Sequence, residues 1–228
     1  MASTIPVPPK QLFINPPSIL ILGAGSRGNA YARALQTSTN AIIAAIAEPN
    51  GYKRSLFADK FLPRPLNPEQ QFSDWRSWVK YETVRRERER AGEKVEKGID
   101  AVFVCVLDEM HEEVLRGIAP LGVHVCCEKP LSTSLEACLN IFGTWKDEHK
   151  KRQSQDVQLR EPVFGICHVL RYSPHNMLLR DLVVERKVIG DVLSLEHVEP
   201  VGWWHFSHSY VRYVIFVSVW WRPFSDLY

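Results

Sequence analysis

Three glycines and one acidic residue in the first quarter of the chain have the types and spacing of a dinucleotide-binding turn. Gly23, Gly25 and Gly28 form the pattern G-x-G-x-x-G, and Glu48 follows the last of them by 20 residues. The first glycine of this pattern permits a tight turn, the second lets backbone approach a pyrophosphate, and the third lets a helix pack on a strand. The acidic residue accepts hydrogen bonds from ribose hydroxyls. The spacing therefore predicts a nucleotide site.

The segments around these residues follow the order strand, turn, helix and strand that such a site requires. An apolar run, Ile19 to Leu22, precedes the glycines, and residues 30–35 continue with helical spacing. Ser26 and Arg27 fall at the helix start, where unpaired backbone N–H groups and the positive end of the helix dipole favour an anion. A second apolar run, residues 41–47, leads to the acidic residue. The alternative is a tight glycine turn in another kind of α/β domain.

The residues around Glu48 bear on which nicotinamide cofactor is bound. A carboxylate at this position repels the 2′-phosphate of NADP. Lys53 and Arg54 open the next predicted helix, and two cations at this position are suited to bind that phosphate. The alternative interpretation is that both side chains belong to the solvated surface. We expect NAD or NADP, with NAD favoured.

A second group of polar residues follows two later strands. The apolar run 99–107 is followed by His111, and the run 123–127 ends in Glu128, Lys129 and Pro130. Continuous apolar strands of this kind are typical of a parallel sheet that is buried on both faces. Ligands of such sheets bind outside the carboxyl ends of the strands, so these residues are expected to converge with the glycine turn.

The order of elements predicts a Rossmann-type, doubly wound parallel α/β sheet followed by the incomplete start of an α+β domain with an open sheet. Within the first part we expect a short helix over residues 72–79 and a solvated helix over 82–97 with ion pairs of mixed sign. The second part is predicted to hold a strand over 163–170, a helix over 176–187 and a strand over 192–198. The expected division is a flexible Pro-rich arm (1–17), a dinucleotide-binding domain (18–152), a partial substrate domain (153–212) and an atypical tail (213–228).

Composition limits the expected classes of binding partner and the expected cellular compartment. Of 228 residues, 45% are apolar and 24% charged, and the net charge of +2 favours neither nucleic acid nor a membrane as a partner. The first 18 residues show no signal peptide. Five cysteines, an odd number at apolar or helical positions, indicate reduced thiols in a cytoplasmic protein. No metal site is expected, because His205 and His208 lack a third ligand at a suitable spacing.

Several motifs together resemble one family, the Gfo/Idh/MocA oxidoreductases, which includes glucose–fructose oxidoreductase and inositol 2-dehydrogenase. The matching pieces are the glycine turn, Glu48, the strand that leads to His111, the run Glu128-Lys129-Pro130, and the segments beginning at His168 and Ile189. The resemblance covers about residues 18–212. It implies a Rossmann domain that carries NAD or NADP and an enzyme that moves a hydride to or from a sugar, polyol or related secondary alcohol.

The resemblance also implies roles for individual residues. Lys129 corresponds to the lysine beside the nicotinamide and the reacting carbon, where it binds the substrate hydroxyl or moves its proton. Glu128, His111 and Pro130 correspond to residues of the cofactor site, with a cis peptide bond expected before the proline. His168 and Arg171 correspond to substrate-side residues, with a packed strand histidine as the alternative for the former.

The chain departs from the family after residue 212. Relatives carry a further aspartate and histidine, about four residues apart, on a later helix, and this pair is absent here. We expect residues 213–228 to be a tail from a retained intron or a frameshift, with a short edge strand as the alternative. A non-catalytic dinucleotide-binding module or regulator is therefore the alternative function. A homo-oligomer is expected only if the second domain is complete.

Overall fold

Six parallel strands form the sheet in the computed structural model of this chain, which describes residues 9–156, 158–198 and 200. The strands are β1 (Ser18–Leu22), β2 (Ile42–Ala47), β3 (Gln71–Phe72), β4 (Ala101–Val104), β5 (His124–Cys127) and β6 (Phe164–Ile166). Their spatial order is β3-β2-β1-β4-β5-β6, and every neighbouring pair is parallel. The prediction of a Rossmann-type doubly wound sheet is confirmed.

Helices connect the strands and cover the sheet. They are α1 (Ser26–Ser38), α2 (Gly51–Phe61), α3 (Trp75–Arg90), α4 (His111–Ile118), α5 (Leu135–Gln155) and α6 (Pro174–Arg180). Short 3-10 helices lie at Pro68–Gln70, Asp108–Met110, Ala119–Leu121 and Val169–Tyr172, and a π-helical turn at Asp181–Glu185 follows α6. No helix of the described part of the chain has the length and apolar character needed to span a bilayer.

The apolar core lies on both faces of the sheet because the side chains of a strand alternate between faces. Leu20 and Leu22 of β1 pack with the cluster that contains Trp78 of α3 and Leu115 of α4. Ile19 and Ile21 point the other way and pack with the residues of α1 and α2. All five residues of β1 are buried, which is why Ile19 to Leu22 form a continuous apolar run.

Polar side chains begin several of the helices. Asn50 accepts a hydrogen bond from the Lys53 N–H at the start of α2, and Ser134 accepts one from the Ala137 N–H at the start of α5. Asp74 and Ser77 form a capping box at the start of α3. Such caps supply acceptors to first-turn N–H groups that have no partner within the helix.

The structure corrects the two helices predicted over residues 72–79 and 82–97. They form one helix, α3, which ends at Arg90, and residues 93–99 have no helix. Glu82 (1% exposed) and Arg85 (8% exposed) are buried in an ion pair, with 2.9 Å between Arg85 Nε and Glu82 Oε2. The expectation of a wholly solvated helix was wrong because a run of mixed charges does not reveal which members face the sheet.

The later elements also differ from expectation. The predicted strand over 163–170 is the shorter β6, which pairs with β5 and so extends the first sheet. Residues 192–198 form neither helix nor strand, so the strand predicted there was wrong. Contacts divide the described part of the chain into two compact units, the first ending at residue 169 and the second beginning at residue 170. The four functional divisions expected from the sequence stay a prediction, and His205, His208 and the tail 213–228 lie outside the described residues.

Candidate functional site

The glycine turn connects β1 to α1 and is shaped by two of its three glycines. Gly23 has φ +97°, a conformation that L side chains rarely adopt, and a Cβ there would lie 2.6 Å from the Cys105 carbonyl oxygen. A Cβ at Gly28 would lie 2.0 Å from the Gly23 carbonyl oxygen. These two glycines therefore allow β1, the residue after β4 and α1 to approach closely.

Gly25 differs from its neighbours, because a Cβ built there meets no atom within 4 Å. It is the N-cap residue of α1, and no side chain caps that helix. The first turn of α1 carries no acidic residue, so none of its own side chains competes with an anion for its N–H groups or for the positive end of the helix dipole. Open space bounded by a helix start fits a pyrophosphate, so the residues present here are compatible with a dinucleotide.

Glu48 follows β2 and is joined to the glycine turn. Its Oε2 accepts a hydrogen bond from the Ala24 N–H (2.8 Å), and its Oε1 accepts one from the Asn50 N–H (2.9 Å). Arg54 Nη1 donates to the Glu48 backbone carbonyl oxygen. Both backbone donors hold the carboxylate beside the turn and leave it acceptor capacity for ribose hydroxyls.

Glu128 follows β5, is only 7% exposed and is surrounded by donors. Its Oε1 accepts a hydrogen bond from the Tyr31 hydroxyl and lies 4.0 Å from Arg27 Nε, and its Oε2 accepts one from the Lys129 N–H (3.2 Å). The pKa of the Tyr31 hydroxyl is raised, first by burial and then by its hydrogen bonds, including the one to Glu128. These contacts bring α1 and the end of β5 together around one buried carboxylate.

Lys129 is exposed, and the residues on either side of it are fixed. The peptide bond between Lys129 and Pro130 is cis, as expected. His111 is completely buried, with Nδ1 2.8 Å from the Pro130 carbonyl oxygen and Nε2 3.3 Å from the Val106 carbonyl oxygen. The imidazole thus connects the ends of β4 and β5, and in this structure it supports the segment that carries Lys129.

Asp108 lies in the same region, after β4. Burial raises the pKa of its carboxyl, and the positive charge of Lys129 acts in the opposite direction. Asp108 is therefore a further ionisable group in the polar segment that follows β4. Asp108 was not among the predicted site residues, although it lies between the strand and His111.

The remaining predicted residues are distributed as follows. Ser26 and Arg27 are exposed at the start of α1. His168 is exposed just after β6 in the first unit, so it is not the packed strand histidine of the alternative interpretation. Arg171 is exposed in the second unit. In the described residues no group of three or more His, Cys, Asp or Glu side chains is arranged to hold a metal ion.

Sequence reasoning missed Tyr31 as a residue of the site. It was recognised only as one of the helix-spaced residues after the glycine turn. Its position on the sheet-facing side of α1, with its ring 5.5 Å from that of Phe103 in β4, is what brings its hydroxyl to Glu128. A polar tip on an otherwise apolar helix face was the available signal.

Comparisons with known proteins agree with this geometry. The profile of the GFO_IDH_MocA family, described as an oxidoreductase family with an NAD-binding Rossmann fold, matches residues 18–155. Inositol 2-dehydrogenase 2 of Saccharopolyspora erythraea is 49% identical over 100 residues, which are 44% of this chain and 26% of that protein. A 1,5-anhydro-D-fructose reductase of Ensifer adhaerens is 30% identical over 92 residues, which are 40% of this chain and 23% of that protein.

Solved structures show the same fold. A scyllo-inositol dehydrogenase of Lactobacillus casei, with bound NAD(H) and scyllo-inositol, superimposes with a TM-score of 0.59 at 18% identity. The superposition covers 78% of this chain and 43% of that one. The matched part of the chain thus spans about a quarter of the length of the sequence relatives and less than half of this structural neighbour.

Proposed function

Because this chain belongs to the Gfo/Idh/MocA family of oxidoreductases, whose Rossmann fold is NAD-binding, we propose that it binds NAD at the glycine turn and transfers a hydride to or from a sugar or polyol. The observation that carries the proposal is the open space in front of Gly25, bounded by an uncapped helix start. An anion placed there meets free N–H groups and the favourable end of the helix dipole.

The chain's own residues divide the work of binding. Gly23 and Gly28 hold the turn in shape, while Gly25, Ser26 and Arg27 face the diphosphate. Glu48, fixed by two backbone N–H groups, accepts hydrogen bonds from the adenosine ribose and disfavours a 2′-phosphate. This arrangement supports NAD over NADP.

Lys129 is proposed as the catalytic residue. The bound nicotinamide supplies a two-electron hydride acceptor or donor. Lys129 Nζ binds the substrate hydroxyl and accepts its proton during oxidation, and it returns a proton to the carbonyl oxygen during reduction. His111 positions this amine through its hydrogen bond to the Pro130 carbonyl oxygen. His168 and Arg171 are proposed substrate-side residues.

The names of the matched relatives supply the substrate class. One is an inositol 2-dehydrogenase and another a 1,5-anhydro-D-fructose reductase, and both names describe a redox reaction on a polyhydroxylated carbon ring or chain. A secondary alcohol of this kind suits the exposed Lys129, whose ammonium form donates hydrogen bonds to a hydroxyl oxygen and whose neutral amine form accepts the hydroxyl proton. Inositols and sugar alcohols are therefore the first substrates to test.

A second candidate function is a dinucleotide-binding module without chemistry. It is favoured by the extent of the family match, which covers residues 18–155 and so falls on the NAD-binding Rossmann fold. In that case the glycine turn binds the cofactor and Lys129 has no reaction to serve.

Titration of the full chain with NAD and NADP, followed by turnover assays with inositols and sugar alcohols, separates the two functions. Binding of NAD with appearance of NADH supports the oxidoreductase. Binding without reduction of NAD supports the module. A folded chain with no affinity for either cofactor overturns both.

Location and assembly complete the proposal. The odd number of cysteines at apolar or helical positions supports the cytoplasm, where thiols stay reduced. A homo-oligomer is proposed only for a chain with a complete second domain.

A further inference from the structure

The sulfur atoms of Cys126 and Cys167 lie 3.2 Å apart. Cys126 belongs to β5, and Cys167 directly follows β6, which pairs in parallel with β5. The Cys167 N–H continues that pairing by donating to the Cys127 carbonyl oxygen (2.8 Å). Hydrogen-bonded backbone thus fixes both residues, and a disulfide, with its S–S length of about 2.05 Å, needs the sulfurs to approach by about 1.2 Å.

We propose that Cys126 and Cys167 are a redox-modification site, a thiol pair that closes to a reversible disulfide with hydrogen peroxide or a similarly small hydroperoxide as oxidant. Burial of the two cysteines restricts the oxidant to a small molecule, because Cys167 is only 7% exposed and Cys126 is half-buried. A small peroxide reaches such a sulfur more readily than a bulky disulfide does. This inference goes beyond the proposed function, which uses neither sulfur.

The two thiols are unequal in a way that suits this chemistry. The hydrogen bond with Cys126 lowers the pKa of the Cys167 thiol, and the same bond together with burial raises the pKa of Cys126. Burial also raises the pKa of Cys105 and of Cys127. Since the thiolate is the nucleophile, Cys167 attacks and Cys126 resolves.

The reaction balances with one peroxide for two thiols. The Cys167 thiolate attacks one oxygen of hydrogen peroxide, the O–O bond breaks, and hydroxide leaves to take up the proton that Cys167 lost on ionisation. The Cys126 sulfur then attacks the resulting sulfenic sulfur, so that an S–S bond forms, the S–O bond breaks and water leaves with the Cys126 proton. Two thiols are oxidised to a disulfide, and the peroxide is reduced to two waters.

The position of the pair links it to the candidate site. Cys126 precedes Glu128 by two residues, and Cys167 directly precedes His168. A disulfide there fixes the end of β6 against β5 at the sheet edge that carries Lys129. Disulfides of cytoplasmic proteins are usually transient and redox-sensing, which matches a thiol pair next to the proposed oxidoreductase site.

Counting free thiols after peroxide treatment tests the proposal. The reduced full chain is exposed to limiting hydrogen peroxide, quenched in acid, unfolded and labelled with a maleimide for intact mass. We expect the count to fall from five to three, with loss of two hydrogens and no added oxygen, and a reductant to restore it. Loss of thiols one at a time with added oxygen, or no loss of thiols, overturns the pair.

Matched variants and a denatured control identify the two sulfurs. Cys126→Ser and Cys167→Ser are each expected to abolish the two-hydrogen loss, while Cys138→Ser, at a half-buried position on α5, keeps it. Two-hydrogen loss in either of the first two variants overturns the assignment. The wild-type chain in concentrated urea serves as a test that does not need a folded variant. Oxidation there as fast as in the native chain overturns the role of proximity.

Discussion

The hydroxyl of Tyr31 donates a hydrogen bond to the carboxylate of Glu128 and so joins α1, the helix after the glycine turn, to the end of β5. Glu128 is 7% exposed, so water replaces this donor poorly. The contact links the helix that begins at the proposed cofactor site to the segment that carries Lys129. A change in α1 is therefore expected to alter the segment after β5, and the reverse.

Removing the hydroxyl is expected to destabilise the fold. Tyr31→Phe leaves a buried carboxylate short of one donor, and we expect a loss of about 1–3 kcal/mol in the free energy of unfolding. Urea denaturation at neutral pH measures it. Tyr52→Phe is the matched control, because Tyr52 on α2 is 74% exposed and its change should leave stability within error. Equal stability of both variants would mean that the hydrogen bond contributes nothing.

The same tyrosine predicts a pH dependence of stability. The pKa of Tyr31 is raised in the folded state, first by burial, so above the ordinary tyrosine pKa of about 10 the unfolded chain loses this proton while the folded chain retains it. The contribution of Tyr31 to the free energy of unfolding is complete below about pH 10 and declines as the pH rises further. Denaturation between neutral and strongly alkaline pH should show a steeper decline for wild type than for Tyr31→Phe. Parallel declines would contradict it.

Substitutions at two glycines of the turn are predicted to affect different properties, NAD affinity in one case and fold stability in the other. Gly25→Val adds a side chain in open space at extended backbone, so the fold should persist while NAD affinity falls at least about tenfold through blocked access to the pyrophosphate. Gly28→Ala places a Cβ 2.0 Å from the Gly23 carbonyl oxygen and should lower the melting temperature itself. Calorimetric titration and thermal melting separate the two effects. A Gly25→Val variant that binds NAD like wild type removes the turn from the cofactor site.

Glu48 is predicted to decide between the two nicotinamide cofactors. Glu48→Gln removes the negative charge that repels a 2′-phosphate, so the ratio of NADP to NAD affinity should rise by about tenfold or more. Glu136→Gln, an exposed carboxylate on α5, is the matched control and should leave the ratio unchanged. Titration of both variants with both cofactors measures the shift. An unchanged ratio in Glu48→Gln would place the selectivity elsewhere.

Lys129 is predicted to act on turnover rather than on cofactor binding. Lys129→Met removes the proton-transferring amine and should lower kcat by about 10²–10⁴-fold, with NAD affinity nearly unchanged. Lys146→Met, an exposed lysine of α5, controls for the loss of one surface charge. Turnover assays and NAD titrations on the same preparations compare the two. Full activity of Lys129→Met refutes the catalytic assignment.

Local backbone chemistry explains which parts of this site were predictable. The requirement for glycine at positions 23 and 28 is a matter of backbone conformation and close approach, so it is visible in the sequence. The convergence of the turn with residues after β4 and β5 follows from the parallel order of apolar strands.

The parts that were missed depend on side-chain contacts across long sequence separations. Tyr31 meets Glu128 across 97 residues, and Cys126 meets Cys167 across 41. No spacing rule encodes such contacts, because the pairing register and the packing of α1 determine them. The same reasoning explains Glu82, whose burial was invisible in a run of mixed charges.

Substitution of Glu82 is predicted to change the stability of the fold and not the binding of NAD. Its carboxylate is 1% exposed and accepts hydrogen bonds from Arg85 Nε and Nη2 (both 2.9 Å) and from Arg86 Nε (2.7 Å). Glu82→Leu leaves the buried Arg85 without this carboxylate, which should cost about 3–5 kcal/mol of unfolding free energy. The double change Glu82→Leu with Arg85→Met removes the buried guanidinium as well, so it should recover much of that loss.

The position of this ion pair makes the prediction specific. Arg85 also donates to the Glu96 carbonyl oxygen, in the segment before β4, so the cluster lies at the amino end of that strand, whereas the glycine turn lies at the carboxyl end of β1. Variants that remain folded should bind NAD like wild type. Glu87→Leu, an exposed position on α3, is the matched control and should unfold close to wild type. Urea denaturation with NAD titration on the same samples measures both properties, and a Glu82→Leu variant as stable as the control would show that the buried pair is dispensable.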